Sequence, residues 1–137
     1  MTAEGAAECY RRISRLSAKI DGAEQRPHIT LHHAPVSNFM ELLNAEDWNG
    51  ISDMIRHSAK ILRTAGADFC ILPDNTAHHA LPMAEVESPL PFLNMVDIVA
   101  QTALEDGHST VGIVGTSYVT RSSTYQATLG LRGLHIK

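Results

Sequence analysis

The sequence predicts a three-layer α/β/α domain built on a mostly parallel sheet. Three observations point there. Helix-like and strand-like stretches alternate along the 137 residues. The stretches read as strands are short and apolar, as strands buried on both faces are. Glycine or proline closes most of them. Such alternation implies right-handed crossovers and a sheet covered on both sides.

Taken in order, Ala6, Tyr10, Ile13, Leu16 and Ile20 recur at helical spacing, with Thr2 as candidate N-cap and Asp21-Gly22 as the break. Residues His28 to Ala34 alternate as a strand would, with Ile29, Leu31 and His33 on one face. A short helix is expected near Phe39–Leu43. Ile51, Met54, Ile55, Ser58, Ala59 and Leu62 form the clearest amphipathic helix, stopped by Gly66. Ala67–Leu72 then reads as a buried parallel strand ended by Pro73. Pro82 splits Thr76–Val86 into two short helical pieces. Leu90–Met95 is a further strand, and Val96–Leu104 a helix closed by Gly107. Thr110–Val114 is a strand, Ser122–Leu131 a helix closed by Gly133, and Leu134-His135-Ile136 the start of another strand.

Composition narrows the function. Apolar residues make up 44% and charged residues 19%, an ordinary globular balance. A formal net charge of −4 with no Lys/Arg cluster argues against nucleic acid as partner. No apolar run nears the roughly 18 residues that span a bilayer. Met1-Thr2-Ala3-Glu4-Gly5 does not begin a secretory signal. The expected location is the cytoplasm, with Cys9 and Cys70 reduced and unpaired. One domain fills residues 1–137. A helix at the start and a half-strand at the end read as cut edges of a larger fold.

In parallel α/β sheets ligands bind beyond the carboxyl ends of the strands. That rule selects the loops after Leu72 and Val114, whose tips are expected to converge on one small anion. Pro73-Asp74-Asn75-Thr76-Ala77-His78 is the densest polar cluster. Two readings stand. Asp74, Asn75 and Thr76 are all good caps for a helix start. Alternatively, backbone N–H groups with Asn75 and Thr76 hold a carboxylate, and Asp74 moves a proton if burial raises its pKa. Gly115-Thr116-Ser117 adds a hydroxyl and backbone donors to the same anion, or is a plain turn. His78 reads as a hydrogen-bonding residue that braces the loop. No metal is expected, because His32-His33 and His78-His79 are adjacent pairs and HExxH and CxxC spacings are absent. No dinucleotide or Walker-type phosphate loop is present. Cys70 reads as a small buried hydrophobe, and Trp48 and Tyr10 as core packing.

Several segments together resemble the aspartate/glutamate racemase family. They are Gly66-Ala67-Asp68-Phe69, Asp74-Asn75-Thr76-Ala77-His78 and Thr110-Val111-Gly112-Ile113-Val114-Gly115-Thr116. Ala7-Glu8-Cys9-Tyr10-Arg11-Arg12-Ile13, Ala45-Glu46-Asp47-Trp48 and Thr124-Tyr125-Gln126 fit as well. The resemblance runs over nearly the whole chain and corresponds to the first half of a typical member. It implies one lobe of a two-lobed fold and a cofactor-independent isomerase, in which one thiolate removes an α-proton and a second thiol returns it on the opposite face. It implies an amino-acid or small carboxylate ligand, with Asn75, Thr76 and Thr116 holding the carboxylates.

The sequence departs from the family at Asp74, which stands where a cysteine normally precedes Asn-Thr, although Pro-Asp-Asn-Thr occurs in some members. Aspartate is the weaker base by roughly 4–5 pKa units, or roughly 6 kcal/mol of proton affinity. The initial strand with its Gly-Gly-Met turn and the second cysteine lobe lie outside the sequence, and Val36-Ser37-Asn38-Phe39-Met40 lacks the arginine some members place on the substrate. Impaired activity is therefore expected in this short form. Two alternatives follow: a non-catalytic remnant or carboxylate-binding module, and a one-base lyase or decarboxylase of the same superfamily. A homo-oligomer could bring a second copy of the same lobe.

Overall fold

The computed structural model describes residues 2–20, 26–121 and 123–137. Its elements run α1 (Ala3–Ile20), α2 (Val36–Asn44), α3 (Trp48–Thr64), β1 (Cys70–Ile71), a single 3₁₀ turn (Ala77–His79), α4 (Leu81–Glu85), β2 (Phe92–Leu93), α5 (Met95–Glu105), β3 (Thr110–Val111), α6 (Ser117–Thr120), α7 (Ser123–Leu131) and β4 (His135–Ile136). The α/β class and the parallel pairing are as the sequence predicts. Cys70 lies opposite Phe92 in one ladder and Thr110 opposite His135 in the other. The described strands thus form two separate pairs, each shorter than its apolar run.

Local chemistry explains the boundaries. The Gly5 N–H donates to the Thr2 hydroxyl at 3.2 Å, which starts α1. Asp47 caps α3 by accepting the Gly50 N–H at 2.8 Å, and Asn94 caps α5 by accepting from Val96 and Asp97. Gly66 ends α3 with φ +89°, a left-handed conformation that a Cβ would penalise. Gly107 and Gly133 stop α5 and α7 in the same way. Pro82 sits in the first turn of α4, where its missing N–H costs nothing, so the stretch after Thr76 divides into two short pieces.

Two cores form. In the first, α3 lies against α2 and α4 and buries Phe39, Leu43, Ile51, Ile55, Leu72, Leu81 and several alanines. Ala59, Cys70 and Leu90 continue this packing around β1. In the second, α5, α7 and β4 bury Val96, Ala100, Tyr125, Leu129 and Leu134. Each large side chain sealed in this way contributes about 1.5–3 kcal/mol. The chain passes from the first core to the second at the step from β2 into α5, and again faces the first where α7 begins.

Three expectations need correction. Residues 28–34 are extended, but they join no ladder among the described residues: alternation along a segment sets its faces, and pairing needs a neighbour in register. The expected alternation is largely lost: residues 28–31 are all exposed, as is His33, and only His32 and Ala34 are partly buried. His32 turns inward, its Nδ1 3.1 Å from the Ser58 hydroxyl. Tyr10 does not pack on the core. It is 48% exposed, and Ala6 is the sole buried residue of α1, since no apolar surface covers the rest of its stripe. Val114 is 98% exposed rather than part of a buried strand, the ladder having ended at Val111. The Asp21-Gly22 break and Ser122 lie outside the described residues. Among the described residues no helix is long and apolar enough to cross a membrane.

Candidate functional site

The loop after β1 is held by hydrogen bonds from three directions. Asp74 Oδ1 accepts the Ala77 N–H at 2.9 Å and so caps the 3₁₀ turn. Thr76, the residue that immediately precedes that turn, makes no capping bond with its own hydroxyl. Capping and ligand binding, both open from the sequence, are thereby divided: Asp74 does the capping, and the Asn75 and Thr76 side chains are not used for it.

His78 is 1% exposed and has both ring nitrogens engaged. Its Nδ1 lies 2.7 Å from the Asp74 carbonyl oxygen, and its Nε2 accepts the Met95 N–H at 3.1 Å. A carbonyl can only accept and an N–H can only donate, so the ring is the neutral Nδ1–H tautomer. One side chain therefore ties the loop to the first turn of α5.

The remaining contacts reach α7. The Tyr125 hydroxyl donates to Asn75 Oδ1. His79 Nδ1 lies 3.2 Å from the Thr124 hydroxyl, and its ring stands 4.3 Å from that of Trp48. Trp48 packs on the first core, while Tyr125 belongs to the second. Burial pushes the Tyr125 phenol above its ordinary range, so it stays a protonated donor.

The second predicted loop is more open. Thr116 is the N-cap residue of α6 through its carbonyl, which accepts from the Val119 and Thr120 N–H groups; its side chain makes no cap bond. Thr116 and Ser117 are both exposed. The structure thus brings Asn75 to Tyr125 rather than into direct contact with Thr116. Neither an open depression of ≈ 530 Å³ beside β4 nor an apolar one of ≈ 70 Å³ under α3 is lined by Asn75 or Thr116. Among the described residues no group of three or more His, Cys, Asp or Glu is placed to hold a metal. Cys9 and Cys70 are both free thiols.

Sequence reading did not single out Tyr125 as a site residue, although Thr124-Tyr125-Gln126 carried part of the resemblance. A tyrosine at a core position of a helix signals packing, and nothing local says that its hydroxyl reaches a loop fifty residues away. The Asn94 cap was a findable signal: an Asn directly before an apolar periodic run, with Asp97 in the first turn.

A parallel α/β scaffold with a polar loop at a strand end, packed against a second core, places the chain among the α/β proteins that hold ligands beyond their strand ends. The chain belongs to the Asp/Glu/hydantoin racemase family, whose profile matches residues 1–137. It is similar to the crystal structure of an aspartate racemase homologue from Pyrococcus horikoshii OT3, with 25% identity and a TM-score of 0.87 over 99% of this chain. It is also similar in fold to a candidate Asp/Glu racemase from Yersinia pestis, with 24% identity and a TM-score of 0.90 over 98% of this chain. In each case it spans 59% of the neighbour's length.

Proposed function

We propose that this chain forms one face of a carboxylate-binding centre for cofactor-independent proton transfer at the α-carbon of an aspartate- or glutamate-type amino acid. Asn75, Thr76, Thr116 and Ser117 are the proposed carboxylate ligands, His78 the brace of the loop, and Asp74 the acid/base. The observation that carries this reading is that Asp74 caps the turn and Tyr125 takes the Asn75 Oδ1, which leaves the Asn75 NH₂ and the Thr76 hydroxyl as the uncommitted polar groups at a strand end in a member of this family. The proposed chemistry needs a base to take the α-proton, donors on the carboxylate to hold the resulting carbanion, and a proton returned to the opposite face. Asp74 serves one face; the opposite group is supplied from outside the described residues. Two free cysteines suit a reducing compartment, and we place the protein in the cytoplasm.

Incubation of the purified chain with L-aspartate and L-glutamate in deuterated water tests the activity. We expect exchange of the α-proton, reduced about 10²-fold or more in Asp74→Asn. Exchange no faster than in buffer overturns a catalytic role for this chain.

One observation favours a second reading. The Asp74 side chain already accepts the Ala77 N–H, a bond that gives it a structural role in the loop. A carboxylate-binding module, or a one-base lyase or decarboxylase, would then be the role. Calorimetry with malonate and succinate separates the cases: binding without exchange identifies the module, and carbon dioxide release from a substituted malonate identifies the decarboxylase.

A further inference from the structure

We infer that Tyr125 is a positioning residue that turns the Asn75 side-chain amide outward, so that its NH₂ group, rather than its carbonyl, meets a bound carboxylate. The inference rests on the carboxylate reading above and adds the residue that makes Asn75 selective for an anion.

A primary amide has an accepting end and a donating end of nearly the same shape. Left to itself, an exposed asparagine presents either end to a ligand. Here the Tyr125 hydroxyl donates to Oδ1, which occupies the accepting end. Tyr125 is 9% exposed and is gripped by Val96, Ala100, Leu129 and Leu134, so the hydroxyl cannot swing away with a surface loop. Asn75 itself is exposed, and among the described residues its Nδ2 donates to no protein acceptor. The cap bond of the 3₁₀ turn comes from Asp74, so Asn75 is not held for that purpose. A carboxylate only accepts hydrogen bonds, and an outward NH₂ is its complement; an outward carbonyl would repel it. Because Asn75 follows the first core and Tyr125 belongs to the second, the same bond also fixes how far the loop stands from α7.

The test uses the full chain, with malonate and L-aspartate as probes. Tyr125→Phe keeps the ring and removes only the hydroxyl. We expect its dissociation constant for malonate to rise about tenfold, the scale of one oriented hydrogen bond. The Asn75 side-chain NH₂ resonances, which shift on adding malonate to the native protein, should no longer do so. Equal affinity and equal shifts in both proteins overturn the assignment.

Asn75→Asp keeps an acceptor for Tyr125 and removes the donor. It should melt like the native chain and lose malonate binding, which distinguishes positioning from folding if Tyr125→Phe is unstable. Retained binding in a folded Asn75→Asp protein overturns the inference. Failure of the native protein to bind either probe overturns the carboxylate reading itself. The amide orientation is then decided without ligand: nuclear Overhauser contacts from the Asn75 NH₂ protons to the Tyr125 ring edge would show the amide reversed and refute the Tyr125 assignment.

Discussion

His78 shows how one residue ties a loop to a distant helix. Both ring nitrogens are used, one on the Asp74 carbonyl and one on the Met95 N–H, and the ring is sealed from water. His78→Leu has nearly the right volume but leaves both backbone groups without a partner. Orphaned buried groups cost about 1–3 kcal/mol each, so we expect a stability loss of about 2–4 kcal/mol in urea melts. A loss below about 1 kcal/mol would show that water replaces both bonds. The sequence reading cast His78 as a brace but could not name its partners, because Met95 lies seventeen residues away and only the fold brings it near.

At the scale of elements, burial sets the response to pH. Burial pushes the Cys70 thiol and the Tyr125 phenol above their ordinary values of 9.0 and 10.0. Both groups are neutral when protonated, so the fold favours the protonated form. Their contribution to stability is therefore complete below about pH 9 and is lost as pH rises through the higher folded-state values. From pH 7 to about pH 9 these two groups leave thermal melts unchanged, and stability should fall beyond that, a fall that Cys70→Ala with Tyr125→Phe should flatten. Glu85, in α4, is exposed at its surface yet its carboxyl is raised, chiefly by partial desolvation, so its charged form at neutral pH weakens the fold slightly. Glu85→Gln should melt higher than the native chain at pH 7 and lose that advantage near pH 4, where Glu85 is protonated; a lower melting temperature at pH 7 would contradict this. The elements themselves were largely legible. The 3.6-residue period of α3, the glycine stops and the Pro82 interruption are local signals. The strand ends were not, because ladder length depends on what backbone lies alongside, and the apolar runs at 67–72 and 110–114 pair over only two residues each.

For the whole molecule the outstanding feature is apolar surface left facing water. Leu31 is 52% exposed, and Phe69, Ile71 and Leu93 are also exposed around the short β1–β2 ladder. Residues 28–34 lie extended without a ladder partner among the described residues. Unpaired edges and exposed apolar side chains promote association. We expect light scattering to give an average mass that rises with concentration, and Leu31→Lys or Ile71→Lys to shift it toward the monomer. A native chain that stays monomeric and melts cooperatively across that range would refute this.

The sequence alone determined the α/β class and, apart from residues 28–34 and the short α6, the order of helices and strands, because hydrophobic period, proline and glycine act over a few residues. It also carried the family, through motifs read along the chain. Tertiary structure decided which polar groups in the loop after Leu72 are already used. Whether Asp74 caps a turn, whether His78 reaches Met95 and whether Asn75 meets Tyr125 are questions of through-space distance. A hydrogen bond forms or fails within a few tenths of an ångström, which spacing along a chain cannot specify.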